Sequence, residues 1–145
     1  MIDPELEEMT VLRLRRAGQR FTTQRRALVE MLGSADRPLT IPEIMKAKKG
    51  LALSSVYRNL AVLEQATVVH RIVTRGDYAA FELAEDLGEH HHHLICTSCG
   101  TVEDFTASAQ LERSATAALD KVAGRAGWRV TSHRLDLTGL CPACR

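Results

Sequence analysis

Along the first 65 residues, apolar positions recur three and four apart. From residue 68 onward they gather into β-branched runs bounded by turn residues. Residues 4–17 predict a helix with Leu6, Met9 and Leu12 (or Arg13) on its inner side, ended by Gly18. Residues 23–32 predict a second, with Ala27, Leu28, Met31 and Leu32 inward and Thr22 or Thr23 as cap. Thr40-Ile41-Pro42-Glu43 has the form of a capping box and opens a third helix to about Lys48. Ser54 opens a fourth. Its Val56, Leu60 and Leu63 face inward, which leaves Ser55, Arg58 and Asn59 toward solvent and Tyr57 at the boundary.

Two strands follow, Val68–Thr74 and Tyr78–Leu83, joined by a turn at Arg75-Gly76-Asp77. Short helices and then a hairpin make a winged helix-turn-helix pattern, in which the fourth helix is presented to a DNA major groove. A generic helical domain with a hairpin would leave the same pattern. The polar, acidic stretch 84–89 marks a hinge. Beyond it the chain predicts strands at 91–96 and 101–105, a helix at 107–123 bracketed by Gly124 and Gly127, and a strand at 128–137.

Length allows one domain or two small ones, and aromatics make up only 4% of the 145 residues. A small C-terminal domain therefore has little bulky core and gains from a metal staple. No apolar run approaches membrane-spanning length and nothing resembles a targeting segment, so the expectation is a cytoplasmic protein with no membrane partner. The overall charge of +1 conceals an asymmetry. Residues 1–75 hold thirteen Lys and Arg against eight Asp and Glu; the remainder hold six against ten. A basic first half suits an anionic partner, nucleic acid being the usual one.

All four cysteines lie in two C-x-x-C pairs, Cys96/Cys99 and Cys141/Cys144, and four consecutive histidines, His90 to His93, abut the first pair. Two such pairs supply the four thiolates of a tetrahedral structural zinc. A tag remnant would be longer and terminal. Redox thiols or disulfides are the other readings of the cysteines, but no secretory context favours a disulfide. The histidines remain as nitrogen ligands for further ions.

Four segments, taken in order, resemble the ferric uptake regulator family of metal-sensing transcription factors. They are Ala17-Gly18-Gln19-Arg20-Phe21-Thr22, Ser55-Val56-Tyr57-Arg58-Asn59-Leu60, the block from His90 to Gly100, and Ser132-His133 with the second cysteine pair. The resemblance implies an α+β fold. A winged-helix DNA-binding domain (1–83) and a hinge (84–90) would precede an α/β metal-binding dimerisation domain (91–145). It further implies a homodimer that represses metal uptake genes when metal is bound, at an AT-rich inverted repeat. Tyr57 and Arg58, with Ser55 and Asn59 on the same helix, match the recognition helix, and Arg20 matches a position that reaches an AT-rich minor groove.

In an extended strand successive side chains point to opposite faces. His91 and His93 then face one way and His90 and His92 the other, so one strand can feed two sites. Hairpin pairing puts His70 across from Glu82 or Leu83, and His70, Glu82, His91 and His93 make a regulatory site bridging wing and dimerisation domain. The resemblance adds Glu112 and His133 to His90 and His92 as a further site, Glu112 only with a one-residue insertion. His70 in its Val-Val-His-Arg context resembles zinc-sensing members; Glu82 in Phe-Glu-Leu resembles iron-sensing ones, but the histidine that iron sensors place just before the third helix is absent, Pro38 standing there. Zinc is the favoured regulatory ion on this reading, with Fe(II) or another divalent metal as the alternative, since three imidazoles and a carboxylate suit several ions.

A zinc deaminase would need H-x-E with a later P-C-x-x-C; here the proline lies inside the pair and no H-x-E exists. Four protein ligands also leave no open position for an activated water, so an enzyme is not expected. A metal chaperone or storage protein would need the metal sites but not the basic helical half.

Overall fold

The computed structural model describes residues 1–74 and 79–145, and the anticipated turn at Arg75-Gly76-Asp77 lies outside them. Four helices open the chain: α1 (Pro4–Arg16), α2 (Thr23–Ser34), α3 (Ile41–Ala47) and α4 (Leu53–Gln65). A short strand β1 (Leu39–Thr40) precedes α3, and β2 (Val69–Val73) and β3 (Ala79–Leu83) follow α4. The three strands form an antiparallel sheet in the order β1-β3-β2. After a 3-10 turn at Glu85–Leu87 come β4 (His92–Cys96), β5 (Val102–Phe105), α5 (Ala109–Arg125) and β6 (Asp136–Gly139). In this second sheet β4 is central, antiparallel to β5 and parallel to β6.

Local chemistry accounts for the helix starts. The Asp3 carboxylate accepts from the N–H groups of Glu5 and Leu6 and caps α1, and the Thr22 hydroxyl caps α2. At α3 the Glu43 carboxylate accepts from the backbone N–H of Thr40 at 2.8 Å and pairs with Arg37 at 2.7 Å. Of the inner positions expected for α1, Leu6, Met9 and the alternative Arg13 are half-buried, and Leu12 is not inward. Thr10 and Leu14 are the buried residues, because a polar residue sits where periodicity seeks an apolar one. Asn59, expected at the solvent face of α4, is buried. Its amide oxygen accepts from Arg25 Nε at 3.1 Å and its amide nitrogen donates to Gln24 at 3.0 Å, so it fastens α4 to α2.

The last strand is shorter than expected. Residues 128–135 have no regular structure, and only Asp136–Gly139 pair with β4. Helix α5 runs through Gly124 and ends near Gly127, which takes the left-handed conformation (φ +75°) that a glycine tolerates.

The first sheet works on both faces. Val69, Phe81 and the half-buried Leu83 point into the helices, where they join Leu28, Leu32, Ile44, Leu60 and Leu63. Ile72 and Ala80, on the opposite face, pack against Ile95 and Val102 of the second sheet. His70 and Glu82 pair directly across β2 and β3 and share that second face by strand alternation. The two sheets therefore meet along a seam that is apolar at one end and ionisable at the other.

Arg37 beside Glu43 holds that carboxyl well below its usual value, at about 2. A depressed carboxylate contributes stability above its unfolded pKa and loses it as pH falls through the folded value. The stability gap between wild type and Glu43→Gln should be constant above about pH 4.5 and narrow toward pH 2, as read by urea titration at each pH. A gap that does not change with pH would count against this pairing.

Candidate metal centres

Strand β4 and its flanks supply donors to three groups, in each of which one ligand atom per residue lies within 4.8 Å of the others. They are Cys96, Cys99, Cys141 and Cys144; His90, His92, Glu112 and His133; and Glu82, His91, His93 and Asp104. The first two contain the residues expected from the sequence. The third exchanges His70 for Asp104.

The thiol group closes because β4 and β6 end side by side, Cys96 opposite Gly139. Cys99 comes from the tight turn leading to β5, where Gly100 adopts φ +76°. All four thiols are free, and the sulfurs of Cys99 and Cys141 lie 3.7 Å apart. That is far beyond a disulfide bond of about 2.05 Å. It matches the edge of a tetrahedron with zinc–sulfur bonds of about 2.3 Å, which is about 3.8 Å. The backbone N–H groups of Cys99 and Cys141 donate to Cys96 Sγ at 3.5 and 3.4 Å and push its thiol down to about 6. The Ser98 hydroxyl would lower Cys144, but the neighbouring thiols and burial push it up to about 12. Four sulfurs at this spacing suit a tetrahedral dication, and zinc fits the donor set.

The seam group is built by register. His93 pairs across the ladder with Asp104, and Glu82 faces them from β3. Glu82 Oε2 lies 2.9 Å from His91 Nε2 and 3.1 Å from His93 Nε2. Asp104 stands 3.9 and 3.8 Å from the same two nitrogens. The other ring nitrogens face acceptors: His91 Nδ1 meets the Glu89 carbonyl at 2.8 Å and His93 Nδ1 meets Asp136 at 3.0 Å. Each ring can donate from Nδ1 and turn the Nε2 lone pair to the centre, the arrangement that orients metal-ligating histidines. Burial disfavours charge on both rings, yet the Glu89 carbonyl and Glu82 raise His91, and Glu82 and Asp136 raise His93. Burial likewise raises Glu82, but His93 and His91 outweigh it and hold the carboxyl low, whereas burial raises Asp104. The cluster draws in positive charge, as protons or as a metal ion.

The third group uses the opposite face of β4. Glu112, in the first turn of α5, meets His92 Nε2 at 2.6 Å, His133 Nε2 at 2.8 Å and His90 Nε2 at 3.3 Å. One contact sets it apart. His92 Nδ1 accepts from the backbone N–H of Leu135 at 3.2 Å, so the neutral ring carries its proton on Nε2, toward Glu112. A metal on Nε2 here would have to displace that proton and cost the ring its contact with the Leu135 N–H, whereas the seam rings keep acceptors opposite Nδ1 when Nε2 turns to an ion.

His70 lies across from Glu82 as the pairing anticipated, but its ring meets the guanidinium of Arg134. Asp104 was missed from sequence. The signal was present: the turn that follows Cys96 sets Ile95 against Val102 and therefore His93 against Asp104. Of the proposed DNA-contact residues, Arg20, Tyr57 and Arg58 are exposed, Ser55 is half-buried and Asn59 is buried. Arg25 donates to the Arg20 carbonyl at 2.6 Å as well as to Asn59, which ties the Arg20 loop to α4.

A helical unit with an exposed Tyr-Arg helix, joined to a sheet unit that gathers cysteine, histidine and carboxylate donors, is the layout of a metal-responsive transcription regulator. Residues 16–138 match the ferric uptake regulator family, and the chain belongs to it. It is 34% identical to the ferric uptake regulation protein of Legionella pneumophila over 137 residues, covering 91% of this chain and 96% of that protein. It is 32% identical to the peroxide-responsive repressor PerR of Staphylococcus epidermidis over 151 positions, covering 99% and 93%. The ferric uptake regulator of Helicobacter pylori, a structure described as having three functional metal binding sites, superposes with a TM-score of 0.73 at 26% identity. That superposition covers 97% of this chain and 91% of that one. The family is one of transcription factors rather than enzymes, and its regulators bind operator DNA as dimers. Among the described residues no helix is long and apolar enough to cross a membrane.

Metal at the thiol group contributes to folding because the unfolded chain holds no preformed site. Cys96→Ser or Cys144→Ser should lose the bound zinc, lower the melting temperature and reduce dimer content, measured by metal analysis, calorimetry and sedimentation. A variant that melts and dimerises like wild type would refute a structural role.

Proposed function

We propose that this protein is a metal-dependent repressor of metal uptake genes, in which an ion bound by Glu82, His91, His93 and Asp104 fixes the DNA-binding unit against the dimerisation unit. The carrying observation is that these donors come from both sheets: Glu82 from β3, the others from β4, its flank and β5. In this reading residues 1–83 bind DNA, 84–90 are the hinge and 91–145 dimerise. Exposed apolar side chains along α5, Leu111, Leu119 and Val122, offer the apolar face a second copy would cover.

Closing the seam sets the separation of the two α4 helices in a dimer, which must match half-sites about one helical turn or a multiple apart. A shift from mostly open to mostly closed needs roughly 5.5 kcal/mol of differential metal binding. Tyr57 and Arg58 then read the major groove from exposed positions, and Arg20 enters an AT-rich minor groove. Asn59 acts through Arg25 to hold α4 and the Arg20 loop in one register.

The sequence-based preference for zinc rests on His70 in its Val-Val-His-Arg context and on Pro38 standing where iron-sensing members place a histidine; the first of these supports weakens when His70 is not a ligand. With Asp104 in its place the donors are two imidazoles and two carboxylates, a harder set that suits Fe(II) or Mn(II) as readily as zinc. Asp104 thus favours the second reading, an iron-responsive regulator, in keeping with the name of the Legionella relative.

Operator affinity measured against free metal tests the switch. His91→Ala should abolish the metal response while sparing the cysteine-bound zinc and the dimer; His92→Ala should alter it less. A His91→Ala protein that responds like wild type would overturn the seam as regulatory site. Tyr57→Ala should reduce discrimination between operator and random DNA by about 1–3 kcal/mol, the usual worth of a specific base contact. Unchanged discrimination would remove α4 from the major groove.

A further inference from the structure

His70 and Arg134 compose a part of the seam that the proposed ligand set leaves unexplained. His70 is cross-strand to Glu82 and lines the same cleft, about 480 Å³, as Glu82, His91, His93 and Arg134. Its position alone would recruit it to an ion held by the other three. It is not among the four grouped donors, and an Arg134 Nη group donates to its Nε2. A guanidinium has only donors and does not deprotonate, so it blocks that lone pair at any ordinary pH. The second Nη group lies 3.7 Å from Glu82 Oε1, on the side of the carboxylate turned away from His91 and His93.

Arg134 is exposed, but the segment that carries it is held on both sides. Its neighbours are anchored on alternating sides: His133 on Glu112, the Leu135 N–H on His92, and Asp136 on His93. The segment therefore delivers the guanidinium to the seam. From the other side Glu82, His91 and Asp104 line a separate cleft, so the fourth ligand position can be filled from either direction.

We propose that Arg134 is a metal-specificity determinant: a tethered cation that holds His70 away from the regulatory ion and leaves the fourth position to Asp104. Two nitrogens and two carboxylates then face the ion instead of three nitrogens and one carboxylate, which lowers the advantage of zinc over manganese or iron. The inference rests on the seam being the regulatory site.

The test uses the full-length protein with zinc retained at the cysteines. Zn(II) and Mn(II) affinities of the seam, taken as the binding lost in His91→Ala and kept in a His133→Ala background, are measured by chelator competition, and Co(II) absorption reports the ligand set. Arg134→Ala, and Arg134→Gln as a variant of similar length, should tighten zinc at least tenfold and manganese less than threefold. Both should also shift the Co(II) ligand-field bands. Adding His70→Ala should cancel the zinc gain and the shift, whereas His70→Ala alone should leave zinc within about twofold of wild type. Equal tightening of zinc and manganese that survives His70→Ala would show only the removal of a positive charge and would overturn the proposal, as would unchanged affinities. No second ion bound by wild type, or one unaffected by His91→Ala, would instead overturn the reading of the seam itself.

Discussion

Two carboxylates and two imidazoles share the space between the sheets, and that charge balance is the constraint on which the arrangement of the two units depends. Burying a carboxylate away from water costs several kcal/mol unless a counter-charge and hydrogen bonds accompany it. Glu82 has both, from His91 and His93, and Asp104 lies within 4 Å of the same rings. The apolar end, Ile72, Ala80, Ile95 and Val102, brings the sheets together irrespective of charge. At the ionisable end the carboxylates and imidazoles balance one another, and a metal ion bound there would draw all four donors toward one point.

The thiol group obeys a different logic. It lies at the end of β4 and joins segments within the second sheet only, so its ion contributes to the integrity of that unit and not to its angle with the first. The group on the other face of β4 falls between the two cases. Its Glu112 ties α5 to β4 through His92, and the proton on that ring already satisfies the contact. Placing β4 in the middle of its sheet, with β5 and β6 on either side, allows these roles to sit a few residues apart without merging.

Much of this was legible in the sequence where periodicity and spacing act locally. The capping box at Thr40, the inward positions of α4, the pairing of His70 with Glu82 and the two-faced histidine run all follow from period and offset. What was not legible depended on side chains choosing among neighbours. Thr10 is buried along with Leu14 although periodicity pointed to Leu6, Met9 and Leu12 or Arg13, because the helix face that packs inward includes a polar residue that an apolar pattern does not register. Asn59 is spent on Gln24 and Arg25, thirty-odd residues away, a contact no local pattern encodes. The exchange of His70 for Asp104 required both a register and a competitor, and only the register was written in the spacing.

The parallel pairing of β4 with β6 has a consequence for how the protein is made. Parallel neighbours need a long crossover, here the stretch containing α5, so Cys141 follows Cys99 by 42 residues. During synthesis the helical unit and the histidine strand emerge while the second cysteine pair, His133 and Asp136 are still to be translated. A nascent chain interrupted within α5 would carry the helical unit and the Glu82, His91, His93 and Asp104 donors but only half of the thiol group, and it would lack His133 beside Glu112 and Asp136 beside His93. The late strand thus makes the four-thiol group a property of the completed second sheet, closed only when the last residues of the chain have been added.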